Sequence, residues 1–255
     1  MRIAIAGGTG TLGRHAAGEL RARGHDVRVL SRRAEHYPVD LTTGEGLDAA
    51  LEGCDAVVDA SNNANAKKAR PLLVDGTRRL TAAGHAAGVR HHVAISIVGC
   101  EKVQMGYYKV KVEQERAVAA GEVPWTIVRA TQFHEFAAQL FGQAARAGVL
   151  PLLRLPMQTV AVADVAAAVA DAVEAEPRTG RIDVAGPEVL DARELAHMWK
   201  RAKGSRALPL RLPLPGNMGR ALRAGALTAD RADVLGTITF ADWLAAAAAG
   251  SGAAA

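Results

Sequence analysis

Met1-Arg-Ile-Ala-Ile-Ala-Gly-Gly-Thr-Gly-Thr-Leu-Gly-Arg14 opens the chain, and its reading decides the fold. Arg2 to Ala6 form a short apolar run that reads as a buried strand. Gly7, Gly10 and Gly13 follow at three-residue spacing. Leu12, Ala16, Ala17 and Leu20 then fall on one helical face, which runs to a stop at Arg23-Gly24. Each glycine has its own task. Gly7 lets the chain turn sharply off the strand, Gly10 keeps a Cβ away from an approaching pyrophosphate, and Gly13 lets the helix pack close to the sheet. The helix start offers free N–H groups and a positive dipole end to phosphates. Strand, glycine turn and helix in immediate succession form the opening unit of a doubly wound α/β fold that binds a dinucleotide. Gly7, Thr9, Gly10, Thr11, Leu12 and Gly13 are the expected phosphate-side contacts.

His25 to Leu30 read as the second strand, with Ser31, Arg32 and Arg33 just beyond it. An NAD site places an acid near this point to hold the ribose 2′-hydroxyl. A carboxylate would repel a 2′-phosphate, whereas a guanidinium grips it with forked, charge-assisted hydrogen bonds. The expected cofactor is therefore NADP (NADPH). Two exposed arginines after a strand, without a ligand, are the plainer alternative.

The Gly-Gly-Thr-Gly-Thr-Leu-Gly stretch has G-x-x-G-x-x-G spacing and resembles the short-chain dehydrogenase/reductase superfamily, especially its atypical, NmrA-like NAD(P)H-binding branch. The resemblance implies a parallel sheet flanked by helices, with a nicotinamide dinucleotide across the C-terminal strand ends. It places Asp40 and Leu41, on an expected short strand Val39 to Leu41, beside the adenine ring. Ala60, Ser61 and Asn62 follow the strand Ala56 to Ala60 at the end where ligands bind in this architecture. They stand where the superfamily often has Asn-Asn-Ala-Gly, and Ser61-Asn62-Asn63-Ala64 departs from that signature.

Val89 to Ile97 read as a strand ending near Ser96, and Met105 to Glu115 as a helix. Tyr107 and Lys111 are four apart on that helix and share a face. Tyr-x-x-x-Lys after a strand-end Ser is the superfamily's catalytic set, which makes Ser96, Tyr107 and Lys111 the expected catalytic residues. An unperturbed phenol, with a pKa of about 10, is a poor acid–base partner at neutral pH, and a neighbouring ammonium favours its ionised form. Lys111 would also hold the nicotinamide ribose, and Ser96 the substrate oxygen. Tyr108, three residues from Lys111, competes with Tyr107. The family places the junction after the strand Pro124 to Ala130 at the nicotinamide end, so Gln132, Phe133 and His134 are pocket candidates. For His134 a polar residue at a helix start remains an equal reading.

Further along, Pro151 to Pro156 read as a loop, Gln158 to Val162 as a strand and Asp164 to Ala175 as a helix. Gly180 to Ala185 read as the last central strand. Asp191 and Glu194 suggest a capping pair. Residues from about 186 to 244 complete a small C-terminal lobe, which in the family covers the substrate. The whole chain, 1–255, is expected to be one NAD(P)-binding unit.

Composition narrows the remaining classes. Hydrophobic residues make up 49% and aromatics 4%, so the core is built from Ala, Val and Leu. The net charge of +5 comes from basic residues in short runs, which favours a solvated basic surface over a nucleic-acid site. Cys54 and Cys100 lack metal or redox spacing. His91 and His92 point to opposite sides of a strand and cannot readily share a metal, and at least one reads as a surface or strand-end residue. No metal site, nucleic-acid partner, membrane partner or membrane-spanning segment is expected, and the chain reads as cytoplasmic, a monomer or homodimer acting on a small molecule. The expectation is an NADP(H)-dependent oxidoreductase that reduces a carbonyl, enone or quinone-like compound. The alternative is a non-catalytic NADP(H) sensor of the NmrA-like kind. A nucleotide-sugar epimerase fits less well, since such relatives carry longer C-terminal domains.

Overall fold

The computed structural model describes residues 1–65, 69–103 and 106–252, so Met105 and the last three alanines lie outside the described residues. The strands are β1 (Arg2–Ala6), β2 (Asp26–Leu30), β3 (Ala56–Asp59), β4 (His91–Ile97), β5 (Trp125–Ala130), β6 (Val149–Leu152), β7 (Pro156–Met157), β8 (Gly180–Ala185), β9 (Leu190–Asp191), β10 (Leu208–Arg211) and β11 (Val234–Leu235). The α-helices are α1 (Thr11–Ala22), α2 (Leu47–Leu51), α3 (Gly76–Ala86), α4 (Gly106–Ala119), α5 (His134–Arg146), α6 (Val162–Glu174), α7 (Ala192–Ala202), α8 (Gly216–Arg223) and α9 (Phe240–Gly252).

Seven of these strands form one sheet in the order β11-β8-β5-β4-β3-β1-β2, and every neighbouring pair is parallel. This is a doubly wound, Rossmann-like α/β fold. Strand β1 explains why it forms. Its side chains alternate between faces: Ile3 and Ile5 join a core with α1 and α6, while Ala4 and Ala6 join one with α2 and α3. A strand apolar on both sides is stable only between two helical layers. The chain steps from β1 to β2 on one side and to β3 on the other, so the strand order reverses between β1 and β3. A crevice outside the carboxyl ends of strands at such a reversal is where ligands bind in open sheets of this kind.

A second, smaller core lies beside the sheet. Phe141, Leu150, Leu195, Trp199, Phe240 and Leu244 fill it, drawn from α5, β6, α7 and α9. Met157 belongs to it too, and Met198 packs against it from a half-buried position.

Several sequence expectations are corrected here. Val39 to Leu41 are not a strand: Asp40 makes only an isolated bridge to Glu45, because its carboxylate accepts from Thr42 N and Oγ1 and closes a turn. The expected loop at 151–156 instead carries β6 and the start of β7, with Pro151 tolerated inside a short two-stranded pairing with β10. Residues 158–162 form no strand beyond a single bridge from Val160 to Phe133. β8 is not the last strand of the sheet, since β11 adds two residues outside it. Asp191 does cap α7, accepting from Arg193 N at 2.9 Å. His91 does stand at a strand end, opening β4, but neither His91 nor His92 is a surface residue, since both are buried.

Candidate active site

The glycine turn closes on itself. Gly10 N donates to Gly7 O, and Gly7 N donates to Leu30 O at the end of β2. Gly7 has φ +71°, and a Cβ there would lie 2.8 Å from the backbone of Ala60 and Ser61. Only glycine therefore lets the turn sit against the end of β3, at the point where the strand order reverses. A Cβ on Gly13 would come within 2.3 Å of Gly7 O. This glycine thus brings the helix onto the turn itself, rather than onto the sheet as the sequence suggested. A Cβ on Gly10 would meet only Gly7 O, at 3.1 Å, and otherwise open space. The N–H groups of Thr11, Leu12 and Gly13 precede the first intrahelical bond, made by Arg14 N to Gly10 O. The result is a cradle of unpaired donors at a helix start, which fits a pyrophosphate. Leu12 is buried beneath it, whereas Thr9 is exposed and its carbonyl accepts from Arg14 Nη1.

Arg32 and Arg33 are exposed immediately beyond β2, and Ser31 Oγ accepts from Arg33 N. The bond from Gly7 to Leu30 sets this segment beside the cradle. Leu41 is buried, and its carbonyl accepts from Arg79.

Past β3 the groups become polar and buried. Asp59 is fully buried; its Oδ1 accepts from Ser61 N and Oγ, and its Oδ2 accepts from Thr77 Oγ1 and Gln114 Nε2. Ala60 is half-buried, and Asn62 is exposed at the rim. Helix α4 faces this group with a stripe at 107, 111, 114 and 115. Tyr107 is half-buried and its hydroxyl donates to Asn62 Oδ1 at 2.7 Å. Burial pushes its phenol up to about 12, against the opposing effect of the Asn62 bond. Lys111 is buried, and Nζ donates to Ile95 O at 2.7 Å and Gln114 Oε1 at 2.6 Å. Burial lowers its pKa, and the Asp59 carboxylate opposes that shift.

Ser96 is not drawn toward Tyr107. Its hydroxyl donates to Glu115 Oε1 at 2.6 Å, inside a buried ion cluster. Glu115 also takes both arms of Arg129 at 2.7 Å and is approached by Arg181. Tyr108 turns the other way and packs with Val103, Ala226 and Leu227. The structure thus joins Tyr107 to Asn62, joins Lys111 to Gln114, and leaves Ser96 with Glu115. Asp59, Gln114 and Glu115 escaped the sequence reading. The signal was present: polar residues three and four positions after Lys111 continue its buried face.

Gln132 donates to Leu227 O at 2.9 Å and ties the end of β5 to the segment following α8. Phe133 is half-buried against the main core. His134 is fully buried, with Nε2 on Ile238 O at 3.0 Å and rings of Phe240 and Trp243 beside it. It serves the packing of α9. Among the described residues, no group of three or more His, Cys, Asp or Glu is placed to hold a metal ion.

A sequence profile described as NAD(P)H-binding matches residues 7–176, more than half the chain, starting on the first glycine of the turn. The chain belongs to this NAD(P)H-binding family. The matched span holds the glycine turn, the ends of β2, β3 and β5, and the whole of α4. The chain has named reductases among its relatives within the family. It is 35% identical over 217 residues to a (4-alkanoyl-5-oxo-2,5-dihydrofuran-3-yl)methyl phosphate reductase from Streptomyces griseus, covering 79% of this chain and 74% of the relative. It is 32% identical over 254 residues to a ceramide reductase from Caulobacter vibrioides, covering 88% of this chain and 76% of the relative. An NADPH-dependent quinone oxidoreductase from Escherichia coli, solved with NADPH, superposes with a TM-score of 0.80 over 96% of this chain and 99% of that one. At 19% identity that likeness is one of fold.

Proposed function

We propose that this member of the NAD(P)H-binding family is an NADP(H)-dependent oxidoreductase that reduces a carbonyl, enone or quinone-like small molecule. The observation that carries the reading is the donor cradle at the strand-order reversal with Arg32 and Arg33 beside it, joined through the Gly7 to Leu30 bond. Thr11, Leu12 and Gly13 N–H groups take the phosphates, and Arg32 takes the 2′-phosphate. Ser31 and Arg33 flank that grip, Asp40 and Leu41 lie on the adenine side, and Ala60 to Asn62 border the nicotinamide half. The bound cofactor supplies a hydride at the nicotinamide C4. The residues from 186 to 244 close over the substrate. One of the two named relatives supports the choice of substrate class directly, and both support reduction of a small molecule. One acts on an unsaturated, oxo-substituted ring bearing an alkanoyl group, and another on ceramide.

Tyr107 is the proton donor in this reading, and its single hydroxyl hydrogen must turn from Asn62 Oδ1 to the substrate oxygen. A phenol raised to about 12 stays protonated through the physiological range. It can therefore give a proton to a developing alkoxide, and it is a poor base for the reverse oxidation. Lys111 reaches a ribose only by giving up its bond to Gln114, and Ser96 reaches a substrate oxygen only by leaving Glu115. These three engagements, of Tyr107, Lys111 and Ser96, favour one rival reading, a sensor that binds the dinucleotide without turning it over.

The deciding experiment is a screen of quinones, aldehydes, ketones and enones, followed by loss of nicotinamide absorbance. With a substrate in hand, Tyr107→Phe should lower kcat by about 10²–10⁴ while NADPH still binds, the usual worth of a positioned acid. Tyr108→Phe should change it little. The rate of reduction should stay level with pH across the neutral range, where burial keeps the phenol protonated. A dead Tyr108→Phe with an active Tyr107→Phe would reverse the assignment. No turnover with any compound, together with unequal affinity for NADPH and NADP⁺, would support the sensor.

A further inference from the structure

The basic residues occur in short runs along the sequence, but the fold gathers them. Residues 136–163 and 195–229 carry nine Lys or Arg and no Asp or Glu, which exceeds the net charge of +5 for the whole chain. Pairing of β6 with β10 brings these two segments together. Arg201, Lys203, Arg206, Arg211, Arg220 and Arg223 are all exposed. Through the middle of this basic region runs an apolar line. Leu208, Leu210 and Leu212 are 73%, 49% and 40% exposed, and their two-residue spacing puts them on one face of β10 and its continuation. A hollow of about 290 Å³ at the end of the strand sets Arg154 and Arg223 beside Leu212 and Leu214. Leucines this open to water, ringed by cations, have a cost that a partner would remove.

The backbone narrows what the partner is. Leu208 N donates to Gly148 O and Leu212 N to Leu152 O, so the even-numbered residues face β6. The open edge then belongs to Pro209, Arg211 and Pro213, and two of these three have no N–H to give. Addition of a strand from a second copy or a peptide is thereby disfavoured. A nucleic-acid face would set aromatic side chains among its cations for base stacking, whereas leucines occupy this one. Leucines entering an apolar boundary, with guanidinium groups at the level of phosphates, match the interface of a bilayer.

We propose that this face docks on an anionic lipid bilayer, with Leu208, Leu210 and Leu212 in the headgroup layer and the surrounding arginines on lipid phosphates. The docking is peripheral, since among the described residues no helix is long and apolar enough to cross a membrane. This departs from the sequence-based expectation of no membrane partner, which rested on the lack of a spanning stretch and could not register a surface assembled from two distant segments.

The test is sedimentation of the full chain with vesicles of phosphatidylcholine alone, or with about one third phosphatidylglycerol, at low salt and at about 0.5 M salt. Binding is expected to the anionic vesicles only and to be lost at high salt. L208S/L210S and R206E/R211E should each weaken it by about tenfold or more, with melting temperature held within a few degrees of the parent. If the leucine variant fails to fold, the charge variant and the salt dependence of the unmodified chain decide. Absence of binding to anionic vesicles, or equal binding to neutral ones, overturns the proposal. So does binding that survives L208S/L210S and is matched by heparin or DNA, which would mark a general polyanion face. Light scattering that shows a dimer lost in L208S/L210S, without lipid binding, would make the face a contact between copies and overturn it as well.

Discussion

His92 lies on β4 almost wholly out of water, with Nε2 lacking a hydrogen-bond partner. Burial holds its pKa down to about 4, with the Asp59 carboxylate opposing the shift. The unfolded imidazole takes a proton near pH 6.5 and the folded one only near 4, so the unfolded chain binds more protons between these values. Stability from His92 is complete above 6.5 and is lost as pH falls toward 4, by about 3 kcal/mol at most. His91 and His134 are also depressed by burial and add in the same direction. Melting temperature should therefore fall steadily from pH 7 to 5, and His92→Gln should flatten that fall; a profile level over this range in the unmodified chain would refute the burial argument. Residue types at the candidate site were legible from spacing, but their bonding was not. Lys111 turns to Ile95 O and Ser96 to Glu115, contacts made across 16 and 19 residues of sequence that no local pattern specifies.

At the level of elements, β1, the glycine turn and α1 could be read directly from the apolar run, the glycine spacing and the helical face, although the task of Gly13 could not, since it meets the turn and not the sheet. The structure separates their tasks and makes them testable. Gly13→Ala drives a Cβ to within 2.3 Å of Gly7 O, where only backbone could yield. That variant should lose about 1–3 kcal/mol in denaturant unfolding without any cofactor present. Gly10→Val meets Gly7 O at 3.1 Å and otherwise fills the open side of the cradle. Its fold should largely survive, while NADPH should no longer raise its melting temperature. A Gly10→Val protein stabilised by NADPH as fully as the parent would place the phosphates elsewhere. The short strands were harder to read. β7, β9 and β11 have two residues each, and β6 includes a proline, so neither periodicity nor propensity marks them. What creates them is pairing with segments far away in sequence, as between Val149 and Leu208.

For the molecule as a whole, a doubly wound parallel sheet was foreseeable, but its strand order was not, since the expected strands at 39–41 and 158–162 are absent and β11 lies outside β8. The small core built from α5, β6, α7 and α9 was foreseeable only as a lobe without architecture. The charge segregation was hidden because it arises from two segments that are apart in the chain. Together the fold offers a phosphate cradle at the strand-order reversal and basic side chains at the end of β2. The central claim is that these hold a dinucleotide bearing a 2′-phosphate, and calorimetric titration of NADPH and NADH against the unmodified chain and Arg32→Ala tests it most directly. NADPH should bind tighter by a factor of roughly ten to a hundred, about 1.5–3 kcal/mol for a charge-assisted contact, and Arg32→Ala should remove most of the difference. Equal affinity of the unmodified chain for NADPH and NADH would contradict the account.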